Sequence, residues 1–97
     1  MLRHVVMFKF KADAPADAAA SLEQGLSRLA KSIPEIAAYD YGRDLALREG
    51  NFDFCLVAEF ADAEAFDRYV VHSDHQRFIQ QQLTPVVAQR VSVQFEV

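Results

Sequence analysis

Ninety-seven residues leave room for one domain, spanning 1–97, and the make-up is that of a globular chain: 52% hydrophobic, 25% charged, with three Gly and three Pro. Fourteen acidic against ten basic side chains give a net charge of −4, and the only basic run is Lys9-Phe10-Lys11, so no nucleic-acid partner is expected. No apolar run approaches the ~20 residues that span a bilayer, which argues against a membrane protein, and the single Cys55 has no partner for an internal disulfide, which favours the cytoplasm.

In chain order, Leu2 to Phe10 alternates, with Leu2, His4, Val6, Phe8 and Phe10 on one side and Arg3, Val5, Met7 and Lys9 on the other. Period two with valine and aromatic content predicts a strand, and its second side is also largely apolar. Pro15 is placed for a first helical turn. From Ala16 to Ser32, Leu22, Leu26, Leu29 and Ile33 then recur as one helical face. Gly25 weakens that helix by about 1 kcal/mol relative to Ala, and Pro34 ends it. Ile36 to Asp44 reads as a second strand, with Tyr39 and Tyr41 on a common side. Leu45 to Asn51 is a connection with its turn at Gly50-Asn51. Phe52 to Phe60 alternates most clearly of all, Phe54, Leu56, Ala58 and Phe60 lining one side. Asp62 is an expected N-cap for a helix over 63–70. Ser73 with Gln76 resembles a capping box that opens a further helix to about Gln82. In the last strand, Arg90 to Val97, we expect Val91, Val93, Phe95 and Val97 inward and Ser92, Gln94 and Glu96 outward.

Strand, helix, strand, strand, helix, strand is the α+β, ferredoxin-like βαββαβ order: a four-stranded antiparallel sheet with the helices on one face. The other face would carry Val5, Met7, Cys55 and Val57. A chain this short buries only about 60% of its surface alone, and exposed apolar patches mark partner surfaces. We therefore expect a homodimer through the open sheet face.

The segments His4-Val5-Val6-Met7-Phe8-Lys9-Phe10-Lys11, Ile33-Pro34-Glu35-Ile36, Tyr41-Gly42-Arg43-Asp44 and Tyr69-Val70-Val71-His72-Ser73-Asp74-His75 together resemble the stress-responsive A/B barrel (Dabb) family of dimeric α/β barrels. The resemblance covers nearly the whole chain. Its most specific part is Tyr-x-x-His-Pro-x-His, where Ser73 stands in place of the usual proline. A plant branch of the family contains cofactor-independent polyketide cyclases, which close a linear poly-β-ketide by aldol chemistry. The resemblance implies a Tyr-His catalytic pair at Tyr69 and His75, with His4 nearby. Kinship of fold does not by itself carry activity.

The residue types suit that chemistry. An aldol closure needs a base near neutral pH, which His supplies, and a donor to the developing oxyanion, which a phenol supplies. Tyr69, His72 and His75 are spaced by three and can share one side of the helix junction. His4, Val6 and Phe8 share a side of the first strand. The candidate site is therefore His75 and Tyr69 as the catalytic pair, with His4, Val6, Phe8 and His72 around the substrate. The same residues have plainer roles open to them: Tyr69 covering the core edge, His72 bonding a loop backbone, His75 buried in a first helical turn. Phe8, Phe10, Phe54, Phe60, Phe66 and Phe78 are bulky enough to fill the space a ligand needs. His72-x-x-His75 lacks the third and fourth ligands of a zinc site, and with no Gly-rich phosphate loop neither metal nor cofactor is expected. Cys55 reads as core or interface, and Tyr39 with Tyr41 as lining of the fold. The functions open to such a chain are the handling of a small apolar or ketide-like molecule, cyclase- or isomerase-like catalysis, and a purely structural dimer.

Overall fold

A computed structural model describes residues 1–97. The alternating segments become β1 (Leu2–Phe10), β2 (Ala38–Arg43), β3 (Phe54–Phe60) and β4 (Val87–Glu96). The periodic ones become α1 (Ala18–Ser32), α2 (Ala63–Val71) and α3 (Ser73–Phe78), the last continuing into a π-helical turn at Ile79–Leu83. The sheet runs β2-β3-β1-β4, every neighbouring pair antiparallel, which is the ferredoxin-like α+β fold.

The core lies between the helices and one face of this sheet. Leu22, Leu26 and Leu29 of α1 meet Val6, Phe8, Phe54, Leu56, Ala58 and Phe60 of the central strands. Phe60 and Ala58 are 0% exposed. The helices do not reach the whole sheet: α1 lies against β2 and α2 against β3, whereas the contacts of β4 are with β1. Beyond Val87, every residue of β4 is exposed.

Gly25 has a packing reason. A Cβ there would lie 2.6 Å from the Phe78 ring and closer still to Oε1 of Gln82, so glycine lets α1 approach α3 and the π turn that follows it. Asp62 caps α2 as expected, its carboxylate accepting from the Ala65 N–H at 2.8 Å. The capping box at Ser73 and Gln76 does not form. His72 is the N-cap of α3, and its ring Nδ1 accepts from the Asp74 N–H at 3.1 Å. Pro15 precedes α1 rather than sitting inside it, its carbonyl accepting from Ala18 N–H at 3.0 Å.

The largest correction concerns β4. Register pairs Phe8 with Arg90, Val6 with Ser92 and His4 with Gln94, and it pairs Met7 with Val91, Val5 with Val93 and Arg3 with Phe95. Directly opposed residues share a face, so Arg90, Ser92 and Gln94 lie on the helix side and the apolar set lies on the open side. Val91, Val93 and Phe95 are 39%, 56% and 44% exposed. Alternation fixes two sides of a strand but not which one meets the helices. Because no helix covers β4, its core-side positions are free to be polar.

Candidate active site

Where β4 extends past the helices, a cavity of about 440 Å³ opens between β1, β4, α2 and α3. Phe8, Phe66 and Phe78 form walls of it and leave the space open, while Phe54 and Phe60 lie in the core. Of the expected site residues, His4, Val6, Phe8, Tyr69 and His75 all line this cavity and His72 does not. The role of His72 is the cap on α3 described above. A larger, shallower groove of about 570 Å³ lies at the β2–β3 connection, lined in part by Met7, Cys55, Leu45 and Leu47. It contains no histidine.

The two imidazoles of the cavity are held in complementary states. His75 Nδ1 lies 3.1 Å from the carbonyl oxygen of Val70. A carbonyl only accepts, so Nδ1 carries the hydrogen and Nε2 keeps a free lone pair in the neutral ring. His4 Nδ1 lies 2.9 Å from the amide Nε2 of Gln94. An amide nitrogen only donates, so here Nδ1 accepts and the hydrogen sits on Nε2. One neutral ring is thus a base and the other a donor. Burial pushes the pKa of His4 below the ordinary 6.5, helped by the nearby His75 and by Arg90. Burial does the same to His75, with Arg90 and His72 adding to it and the Val70 bond opposing. Both effects favour neutral rings near pH 7.

Tyr69 is 2% exposed, and its ring lies against that of His75 with centroids 4.1 Å apart. Its hydroxyl is hydrogen-bonded to the Tyr39 hydroxyl from β2. Burial raises both phenols, Tyr69 to about 12 and Tyr39 well above its usual value. Both phenols therefore stay protonated at neutral pH. Either hydroxyl can be the donor in the bond between them.

Tyr39, read from the sequence as lining of the fold, and Ser92 and Gln94, read as outward, join this site together with Arg90. The partners of Tyr69 and His4 lie 30 and 90 residues away, so spacing could not associate them. The polar phase of β4 carried the signal, and it becomes readable once that phase is placed on the side of His4. No group of three or more metal-ligating side chains forms anywhere in the chain, and no helix is long and apolar enough to cross a membrane.

Comparison with known proteins places these features. The chain matches the stress responsive A/B barrel domain, Dabb, over residues 2–97. No curated protein matches it. Among solved structures, a dimeric ferredoxin-like protein of unknown function from Thermobifida fusca is 34% identical with a TM-score of 0.90, over 99% of this chain and 90% of that one. A Dabb family protein from Mesorhizobium loti is 22% identical with a TM-score of 0.82, over 99% and 95% of the two chains. A hydroxynitrile lyase from Passiflora edulis shares the fold at 17% identity, with a TM-score of 0.86 and coverage of 99% and 92%.

Proposed function

The chain belongs to the stress-responsive A/B barrel (Dabb) family, and on that premise we propose that it is a homodimer, each single-domain protomer of which binds a small, largely apolar molecule in the cavity beside β4. The cavity itself carries this reading: about 440 Å³, mostly apolar, with a few convergent polar groups, it has the size and character of a small-molecule site. The dimer is supported by Val5, Met7, Val57, Val91, Val93 and Phe95 lying together on a sheet face that no helix covers. The Thermobifida fusca relative is described as dimeric. An open cavity walled by two imidazoles favours this reading over a purely structural dimer.

A catalytic role is favoured by one specific observation, the His75 Nδ1 bond to the Val70 carbonyl, which leaves Nε2 unprotonated in a ring that lines the cavity. Such a nitrogen takes a proton from carbon next to a carbonyl. His4, protonated on Nε2, and the Tyr69 hydroxyl, when Tyr39 supplies the hydrogen of their shared bond, are the donors available to the enolate oxygen. Val6 and Phe8 hold the apolar part of the ligand. No cofactor enters this chemistry, which is that of a cyclase or isomerase acting on a ketide-like carbonyl compound. A lyase on the same fold, in Passiflora edulis, is in keeping with catalysis from this scaffold.

The test is deuterium exchange at the activated methylene of acetylacetone in D2O, followed by proton NMR. Wild type is expected to accelerate exchange over a buffer of free imidazole, and His75→Ala is expected to lose the acceleration while remaining folded by circular dichroism. Equal rates in the two proteins, each bound to the probe, would leave a binding domain without catalysis.

A further inference from the structure

In a chain with a net charge of −4, the cavity wall contains no carboxylate. Its ionisable groups are His4, His75 and Arg90, besides the Tyr69 phenol. Of the seven arginines Arg28, Arg48 and Arg90 are unpaired, and of these three only Arg90 lines the cavity. Arg3 is paired with Glu59, Arg43 with Glu23, Arg68 with Glu35 and Arg77 with Asp74. Arg90 makes no ion pair, and its guanidinium has no hydrogen-bond partner in the chain. Its place follows from register: opposite Phe8, it lies on the helix side of β4, at the exposed rim of the cavity. Ser92, opposite Val6, adds a hydroxyl on the same wall. Deeper in, Val6, Leu26, Leu56 and Leu83 are apolar and buried. A guanidinium fork matches the two oxygens of a carboxylate, and the interior below it accepts hydrocarbon.

We propose that the ligand is an amphipathic carboxylic acid, its carboxylate held at the rim by Arg90 with Ser92 and its apolar body inside the cavity. This deepens the small-molecule reading and rests on it. The field of Arg90 disfavours protonation of both His4 and His75. A bound carboxylate neutralises that field, so occupancy of the rim is felt at both rings.

Octanoate and its uncharged counterpart octanamide are suitable probes, titrated near neutral pH by calorimetry into wild type, Arg90→Gln and Arg90→Lys, with ring resonances of His4 and His75 followed by NMR. Octanoate is expected to bind wild type about tenfold more tightly than octanamide, the scale of one hydrogen-bonded charge contact. Arg90→Gln should weaken octanoate by about the same factor and leave octanamide unchanged, and Arg90→Lys should restore part of the preference. Because Arg90 is exposed and unpaired, these variants are expected to fold as wild type does. If both probes move the ring resonances but bind equally, or if Arg90→Gln keeps the preference for the acid, the carboxylate site is overturned and the small-molecule reading stands. If neither probe moves the rings, both fall.

Discussion

The two faces of one sheet are built on opposite rules. On the helix side, residues are apolar where a helix covers them, as at Phe54, Leu56, Ala58 and Phe60, and turn polar along β4 where none does. On the open side a run across β1, β3 and β4, Val5, Met7, Val57, Val91, Val93 and Phe95, stays apolar although no helix covers it. Polarity on the helix side thus tracks the reach of the helices, and beyond that reach it lines a cavity. Apolarity on the open side is what the proposed pairing of two copies would cover. The ion pair between Arg3 and Glu59, with the Arg3 guanidinium 5.9 Å from the centre of the Phe95 ring, places a neutralised charge pair in that surface rather than a solvated rim.

The sharpest way to break this contrast is to make one substitution on both faces. Phe60→Ala empties a fully buried site and should lower the unfolding free energy by about 3–5 kcal/mol at any protein concentration. Phe95→Ala should change the stability of the protomer by no more than about 0.5 kcal/mol and act only on the concentration-dependent part, read by denaturation across a dilution series. If Phe95→Ala costs as much as Phe60→Ala in dilute solution, the open face is part of the protomer core.

Next in size is a charge on the open face. Val93→Asp appears twice in a two-fold dimer, and burying unpaired like charges costs several kcal/mol. Sedimentation should show monomer where wild type is dimeric, with the helix content intact. A dimer that survives Val93→Asp would place the interface elsewhere.

A smaller effect is expected at the phenol pair beneath the cavity. Tyr69→Phe strands the Tyr39 hydroxyl and Tyr39→Phe strands the Tyr69 hydroxyl, each costing about 1–3 kcal/mol. The double variant should cost less than the sum of the two, because it removes both partners of one bond. Additive losses would mean that the two hydroxyls act independently.

The smallest effect is the response to acid. His4 and His75 have pKa values lowered below 6.5 in the folded chain, so below that pH the unfolded chain takes up protons that the folded chain refuses. Stability is then full above 6.5 and declines as pH falls towards the folded values. Melting curves across this range should show the decline, and it should shrink in His4→Gln and His75→Gln. A flat profile would mean that the cavity rings are as solvated as free histidine.

What the sequence could convey divides along physical lines. The alternation of 54–60 and the Leu22, Leu26, Leu29 stripe give element type and order, because local periodicity reports a buried side directly. The grouping of His4, Tyr69 and His75 was legible through the family resemblance and the side shared by His4, Val6 and Phe8. The phase of β4 was not legible, since an apolar alternate set belongs equally to a core or to an interface. Ser73 and Gln76 fit a capping box in spacing, yet the imidazole of His72 reaches the orphan N–H of Asp74 first. Whether six phenylalanines fill a cavity or wall it depends on how far the helices stop short of β4, which no window of residues records.

Cys55 stands opposite Met7 on the open face, half-buried, with burial pushing its thiol above the usual range. In a separated protomer this residue is partly open to solvent. In a pair of copies joined through that face it is shielded. With the copies joined as proposed, alkylation of the unmodified protein would keep time on that assembly: the reaction would advance only while the copies are apart, and its rate against dilution would read their lifetime together from the one thiol the chain carries.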